Sequence, residues 1–397
     1  MKTVHNVQSA RRLSDLSSAI FTEMNRRKRE IQARGTNVID LGIGSPDQPP
    51  SALVIEALVQ AVKNPDNYGY PTSEGSVRFR ETTARWYRHR FGVVLDPETE
   101  VLSLMGSQDG LAHLAQAWID PGDVVLVPDP GYPIYFASVT LAGGEIYPLP
   151  LREENGFLPD FSNIPADIKR RAKLMVINYP NNPVAAVAND TFFAEIVAFA
   201  KENQLIVAHD LAYSELAFDE YRPPSFLETP GAKEIGVEFN SLSKSFNMAG
   251  CRIGYVVGSR DVIRPLAIVK SNIDYGVFLA VQEAAVAAME HDLSHPGENG
   301  NAALYQERRD VLLDGLAEIG WPIPKPKATM FVWARVPQGW TSERFAFTLL
   351  EKAGVVVIPG NAFGAQGEGY VRIALVKPPD VLKEVILRIK ESGILSP

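Results

Sequence analysis

The sequence predicts an α/β protein: a mainly parallel sheet covered by helices, followed by a smaller α+β unit. Two observations carry this reading. From about Ser45 to His291, short apolar runs that read as buried strands alternate with helical patterns, the arrangement that builds a parallel sheet with helices on its faces. After the breaker-rich stretch Asp292–Asn301, a helical segment from about Ala302 to Ile319 leads into three strand-like runs, Phe331–Ala334, Val355–Val357 and Val371–Leu375, which read as strands of a second, two-layered unit.

In chain order, residues 1 to about 45 read as an arm and a helix that ends in the strand Val38–Leu41. Arg26-Arg27-Lys28-Arg29-Glu30 is read as the solvated face of that helix. Arg85, Arg88 and Arg90, flanking Trp86 and Tyr87, are read the same way on a later amphipathic stretch. Val101–Leu104 precedes a glycine-serine turn and a helix whose apolar residues Leu111, Leu114, Ala115 and Trp118 recur at helical spacing. Val124–Val127, Leu174–Ile177, Ile206–Ala208 and Tyr255–Val257 read as further strands. No internal repeat or low-complexity tract interrupts the pattern.

The 397 residues, 46% of them hydrophobic, suffice for two or three domains. A net charge of −8, from 39 basic and 47 acidic residues, offers no attraction to nucleic acid or to an anionic membrane surface. No apolar run is long enough to span a bilayer. Met1–His5 lacks the apolar stretch of a secretory leader, so a cytoplasmic protein is expected. The single cysteine, Cys251, excludes an intrachain disulfide and a multi-cysteine metal site and reads as a small buried filler. The six histidines are read as forming no metal pair, and His209 as a packing residue.

Four segments carry the chemistry. Lys244 lies in Ser241-Leu242-Ser243-Lys244-Ser245-Phe246-Asn247-Met248-Ala249-Gly250-Cys251-Arg252. A lysine amine forms a Schiff base with an aldehyde cofactor, and hydroxyls and a guanidinium hold a phosphate. Together they fit a pyridoxal phosphate site, although alone the lysine would be an ordinary solvated one. In Leu205–Glu215, Asp210 ends an apolar strand run, where ligands bind in open α/β sheets. Its carboxylate could pair with a pyridinium nitrogen, with Tyr213 reaching the ring's 3-oxygen, or it could cap a helix. In Leu174–Pro183, Asn182 is biased away from helix by the proline after it. It could offer an amide donor to that same oxygen, or serve the turn alone. In Val101–Gly110, the turn Gly106-Ser107 could present free backbone N–H groups and the positive end of a helix dipole to a phosphate, or be only a cap.

In this order and on these elements the segments resemble the class I/II aminotransferases, the aspartate aminotransferase superfamily of fold-type I pyridoxal phosphate enzymes. The resemblance covers nearly the whole chain. It implies an α/β/α sandwich plus a small α+β domain drawn from both termini: residues 1–45 as arm and part of the small domain, 46–291 as the cofactor domain, 292–397 as the small domain. It makes Lys244 the Schiff-base lysine, and Ser107, Gln108, Ser241, Ser243 and Arg252 the phosphate positions. It makes Asp210 the ring-nitrogen partner, Asn182 and Tyr213 the 3-oxygen partners, and Tyr132 the ring stacked on the cofactor. Arg372, in Tyr370–Ala374, matches the clamp on the substrate α-carboxylate, a task suited to a planar fork. Gly44, in Gly42–Pro46, matches a glycine at the substrate mouth. Tyr70 matches the tyrosine that reaches the phosphate of the neighbouring subunit, which implies a homodimer with a shared site. Taken singly, Tyr132 could be core and Arg372 a surface ion pair. The implied reaction moves an amino group from an L-amino acid to a 2-oxo acid in a ping-pong cycle.

Gly122–Pro133, Glu154–Asp160 and Arg222–Glu228 are similar to the bacterial LL-diaminopimelate aminotransferase group. This implies LL-2,6-diaminopimelate and glutamate, with 2-oxoglutarate, as substrates in lysine biosynthesis. The chain departs from the group at several places. Val184 and Ala185 replace Thr-Gly after Asn182-Pro183, Ala19 replaces a substrate-touching tyrosine, Gln108 a lysine and Cys251 a tryptophan. Tyr275 stands where smaller residues are usual. Ala19 and Tyr275 bear on how a distal carboxylate or amine is read. The alternatives are an alanine/aspartate- or aromatic-type aminotransferase, a carbon–sulfur β-lyase, and a cofactor-binding regulator. For the last, about 45 leading residues are too few to hold a DNA-binding winged helix. A Rossmann dehydrogenase is disfavoured because Gly42-Ile43-Gly44-Ser45-Pro46 continues without a third glycine opening a helix.

Overall fold

The computed structural model describes residues 9–16, 19–298 and 300–395; Met1–His5, read for a leader, and Asn299 of the breaker-rich stretch lie outside them. The chain enters through helix Ala19–Ala33 and a short strand, β1 (Ile39–Asp40). Arg26 pairs with Glu23 on that helix's exposed side, but the run is not all solvated: Arg27 also pairs with Glu351 and packs over Phe347, and Lys28 pairs with Asp40 at 2.5 Å.

The main sheet holds β2 (Val101–Leu104), β3 (Val124–Asp129), β4 (Glu145–Pro150), β5 (Ala172–Asn178), β6 (Ile206–Asp210), β7 (Gly236–Ser241) and β8 (Gly254–Gly258), in the order β2-β8-β7-β6-β5-β3-β4. Pairings from β4 to β7 are parallel, and β8 runs antiparallel to both its neighbours. The central strands read as continuous apolar runs because both faces are covered. Along β3, Val124 and Leu126 face a core built with helices Val77–Phe91, Asp190–Glu202 and Leu279–Ser294. Val125 and Val127 face another built with helices Ser107–Trp118, Pro133–Ala142 and Arg260–Ile273. The two-residue alternation of strand side chains thus sorts one run into two cores.

A third core joins both ends of the chain. It is built on β9 (Phe331–Arg335), β10 (Val355–Val356) and β12 (Tyr370–Ala374), with helices Asn301–Glu318, Ser342–Ala353 and Pro379–Glu391, and β11 (Ile358–Pro359) pairs beside β12. β1 pairs in parallel with β10, Ile39 opposite Val355, so the N-terminal strand completes C-terminal structure. Antiparallel β11-β12-β9 places Arg372 opposite Trp333.

Three expectations need correction. Val355–Val357 is not one strand: it breaks at Val357, because one half pairs with β1 and the other half leads into β11 beside β12. Arg90 is not a solvated charge, since it pairs at 3.0 Å with Glu215 and both side chains are largely buried. The breaker-rich stretch is shorter than read, because helix Leu279–Ser294 runs into it and Asn301 already opens the next helix.

Candidate active site

Strands β5, β6 and β7 end side by side at Asn178, Asp210 and Ser241, with Asn178 in register with Asp210. A cavity of about 570 Å³ lies beyond these ends, lined by Ser107, Gln108, Tyr132, Asn182, Asp210, Tyr213, Ser241, Ser243, Lys244, Arg252, Gly44 and Arg372. The third core thus brings Arg372 to the lysine loop. Asp210 is 5% exposed. Its Oδ2 accepts the Tyr135 hydroxyl at 2.6 Å and its Oδ1 the Ala212 N–H at 3.3 Å. A turn, not a helix, follows it, so it is no N-cap. Burial pushes its carboxyl up, while the Tyr135 hydrogen bond and the charges of His209 and Lys244 pull it back. Asn178 Nδ2 donates to the Asp210 carbonyl at 2.7 Å, and Asn178 Oδ1 accepts the Asn182 N–H at 2.7 Å.

Arg372 is no surface ion pair. Its Nη1 donates to Asn182 Oδ1 at 2.9 Å and its Nη2 to the Gly42 carbonyl at 2.7 Å. Its guanidinium lies 4.2 Å from the Phe331 ring centroid and 4.5 Å from that of Phe363. Its Nε is buried with no partner. Burial pulls this group down to about 10. Lys244 Nζ donates to the Gly44 carbonyl at 2.7 Å. Burial first, then the charges of Arg372 and Arg252, lower its amine to about 8. A side chain at Gly44 would place its Cβ 2.2 Å from the Phe331 ring.

Opposite this end, helix Ser107–Trp118 begins at Gly106 with no side-chain cap on its free N–H groups. Gly106 has φ +80°, and a Cβ there would sit 2.6 Å from Arg252 Nη2; only glycine lets the guanidinium approach the helix end. Tyr132 is a lining residue and not core; its hydroxyl donates to Gln108 Oε1 at 2.9 Å. Ser241 Oγ accepts the Ser243 N–H at 3.2 Å.

Tyr70 stands apart from the cavity. It is 89% exposed, and its ring centroid lies 5.3 Å from that of Tyr275, itself 67% exposed. Ala19, Val184 and Ala185 do not line the cavity either; the nearby lining residue is Phe21. Ala185 holds φ +56°, the left-handed region its glycine counterpart would adopt freely. Cys251 is half-buried and burial raises its thiol, which suits a filler better than a nucleophile. His209 is buried between Glu238 (2.7 Å) and the Tyr179 carbonyl (2.9 Å).

The model of the family described as aminotransferase class I and II matches residues 36–389. This chain belongs to that family. It is 52% identical to an LL-diaminopimelate aminotransferase of Moorella thermoacetica over 97% of this chain and 98% of the relative. Among solved structures it is similar to substrate-bound BacF from Bacillus subtilis, with TM-score 0.92, 40% identity, and coverage of 97% and 98% of the two chains. It is also similar to a probable N-succinyldiaminopimelate aminotransferase from Thermus thermophilus, with TM-score 0.87, 40% identity, and coverage of 94% and 100%.

The aminotransferase cofactor is pyridoxal 5′-phosphate, and the cavity fits it. The charged lining residues are three cations, Lys244, Arg252 and Arg372, against one carboxylate, Asp210. That surplus, an uncapped helix end and an unpartnered buried guanidinium nitrogen call for anions. A phosphate and a carboxylate supply them. Sequence reasoning missed Tyr135, Asn178, Phe331 and Phe363 here. Tyr135 was within reach, lying one helical turn beyond Tyr132. The two phenylalanines had no signal, because they meet Arg372 only through the β9-β12 pairing and the short helix Gly360–Phe363.

The sequence reading overlooked one histidine pair: His291 and His295 lie four apart, and with Glu298 they bring donor atoms within 4.8 Å of one another.

Proposed function

We propose that this aminotransferase moves an amino group between LL-2,6-diaminopimelate and 2-oxoglutarate, which becomes glutamate, with the keto form of diaminopimelate as the other product. The observation that carries the substrate is the 52% identity, across nearly all of both chains, to the Moorella enzyme of that name. Bound pyridoxal phosphate supplies the electron sink for charge developing at the substrate Cα. In this reading Ser107, Gln108, Ser241, Ser243 and Arg252 hold the phosphate. Asp210, steadied by Tyr135 and Asn178, keeps the ring nitrogen protonated. Asn182 and Tyr213 hold the 3-oxygen, and Tyr132 packs on the ring. Arg372 grips the α-carboxylate beside Gly44. Lys244 anchors the cofactor, and its Nζ carries the Cα proton; an amine lowered to about 8 is neutral often enough to do so.

The assembly is a homodimer in this reading. Tyr70 is exposed and does not line its own cavity, and a partner's site would give its hydroxyl a phosphate to meet. Tyr275 packs on Tyr70 and travels with it to the partner's substrate mouth. The division at residues 45 and 291 is part of this reading; its support is that most of the third core comes from the first and last segments, with Ala212, Tyr213, Leu216 and Phe218 of the middle segment packed into it. No described helix is long and apolar enough to cross a membrane, which suits the cytoplasmic site proposed here.

One observation favours a second reading, an aromatic- or alanine-type substrate. Once the cofactor and α-carboxylate occupy Asp210, Lys244, Arg252 and Arg372, no charged lining residue remains among the described residues for a distal carboxylate, and Phe21, Ile43, Phe331 and Phe363 also line the space. A half-reaction screen decides. Holoenzyme is mixed with single amino acids and the change in cofactor absorbance is timed. Fast conversion by LL-diaminopimelate and glutamate supports the first reading. Conversion by phenylalanine or alanine alone replaces it with the second.

A further inference from the structure

Helix Leu279–Ser294 packs on the main sheet and ends at His295, whose backbone N–H donates to the His291 carbonyl at 2.8 Å. Four-residue spacing puts both imidazoles on one helix face, where the rings stack with centroids 4.7 Å apart and planes 19° from parallel. The next turn brings Glu298 back, its N–H donating to the His295 carbonyl at 3.3 Å. One donor atom from each side chain lies within 4.8 Å of the others. Among the described residues no other side chain bonds either imidazole, and no cation pairs with Glu298. The pair sits at the helix's negative end, which favours a bound cation.

We propose that His291, His295 and Glu298 form a binding site for a divalent transition cation of the zinc class. Two imidazoles and a carboxylate suit zinc, cobalt or nickel, with water in the remaining position, and do not suit magnesium or calcium, which take oxygen ligands. Bonds of roughly 2.0–2.1 Å need donor atoms about 3.3 Å apart, a closure within reach of the exposed His295 and Glu298 side chains. The cation would pin the last turn of helix Leu279–Ser294 to the connection that enters helix Asn301–Glu318. That second helix starts at Asn301, whose Nδ2 donates to the Ser245 carbonyl at 3.0 Å, one residue from Lys244. The site is separate from the catalytic cavity and owes nothing to the cofactor.

The test is calorimetric titration of untagged, chelator-washed holoenzyme with zinc chloride, repeated with cobalt chloride while following the visible bands of coordinated cobalt. One saturable zinc per chain is expected, weakened about tenfold or more in His291→Asn and in His295→Asn, with magnesium chloride silent. Zinc should also raise the unfolding temperature of wild type and not of His295→Asn, a replacement at an exposed position. Absence of saturable zinc binding by wild type, or binding of equal strength in both variants, would overturn the proposal.

Discussion

Arg372 donates from Nη1 to Asn182 Oδ1 at 2.9 Å, joining β12 to the turn after β5 across 190 residues of sequence. The bond fixes the amide's orientation: with its oxygen held by the guanidinium, its NH2 is left to donate. The same guanidinium lies against the Phe331 and Phe363 rings with Nε unpartnered. Arg372→Lys keeps a charge and loses the fork. The expected cost is roughly 2–4 kcal/mol in kcat/KM, about 30- to 1000-fold, mostly through KM, with cofactor absorbance unchanged. Steady-state kinetics on the best amino donor checks this; a change below about threefold would show that another group takes the carboxylate.

Tyr135→Phe removes the hydroxyl that donates to Asp210 at 2.6 Å. That hydrogen bond lowers a carboxyl which burial raises. Without it the carboxyl rises further, so the acid limb of the pH–rate profile moves to higher pH. A hydrogen bond to a charged group contributes about 1.5–3 kcal/mol, so the loss in rate should be roughly 10- to 150-fold. Asp210→Asn, which removes the charge itself, should cost more. An unmoved acid limb in the tyrosine variant would mean that Asp210 does not set it.

Lys244 in cofactor-free protein should titrate at about 8, below its ordinary 10.5. The rate of reductive methylation against pH reports the midpoint. Arg372→Leu removes one of the charges that depress it and should move the midpoint up. The linkage has a definite sign. A lysine lowered on folding is protonated in the unfolded chain and neutral in the folded one between about 8 and 10.5, so stability rises with pH across that window. Urea midpoints of wild type, minus those of Lys244→Met, should show the rise.

If the protein is the homodimer proposed above, Tyr70→Ala and Lys244→Ala should each cripple it, and mixing them should restore activity. In the hybrid, one site combines an intact Lys244 with the partner's intact Tyr70 if the tyrosine acts across the interface. No recovery after confirmed subunit exchange places Tyr70 in its own subunit's function. Tyr275→Ser tests the neighbouring position: kcat/KM should shift between amino acids of different side-chain size while cofactor affinity holds.

The parts of this protein that were legible in the sequence are local. The strand runs ending at Asn178 and Asp210 announced themselves because both faces of a parallel sheet are buried. The lysine loop, the Gly106-Ser107 turn and Arg372 each carried a chemical type suited to one task. Their alternatives could not be settled locally: whether Asp210 caps a helix, or Arg372 meets a surface carboxylate, depends on what lies beside it. The break in Val355–Val357 was hidden for the same reason, since an apolar tripeptide does not say that one half pairs with β1 and the other leads toward β12. Phe331 was legible only as part of a strand run and Phe363 not at all, until the fold set both rings against a guanidinium. Side-chain chemistry is a property of a residue and is written in the chain. Depressed amines, raised carboxyls and an unpartnered buried nitrogen are properties of desolvation and proximity, which come into being only when segments hundreds of residues apart enclose one cavity.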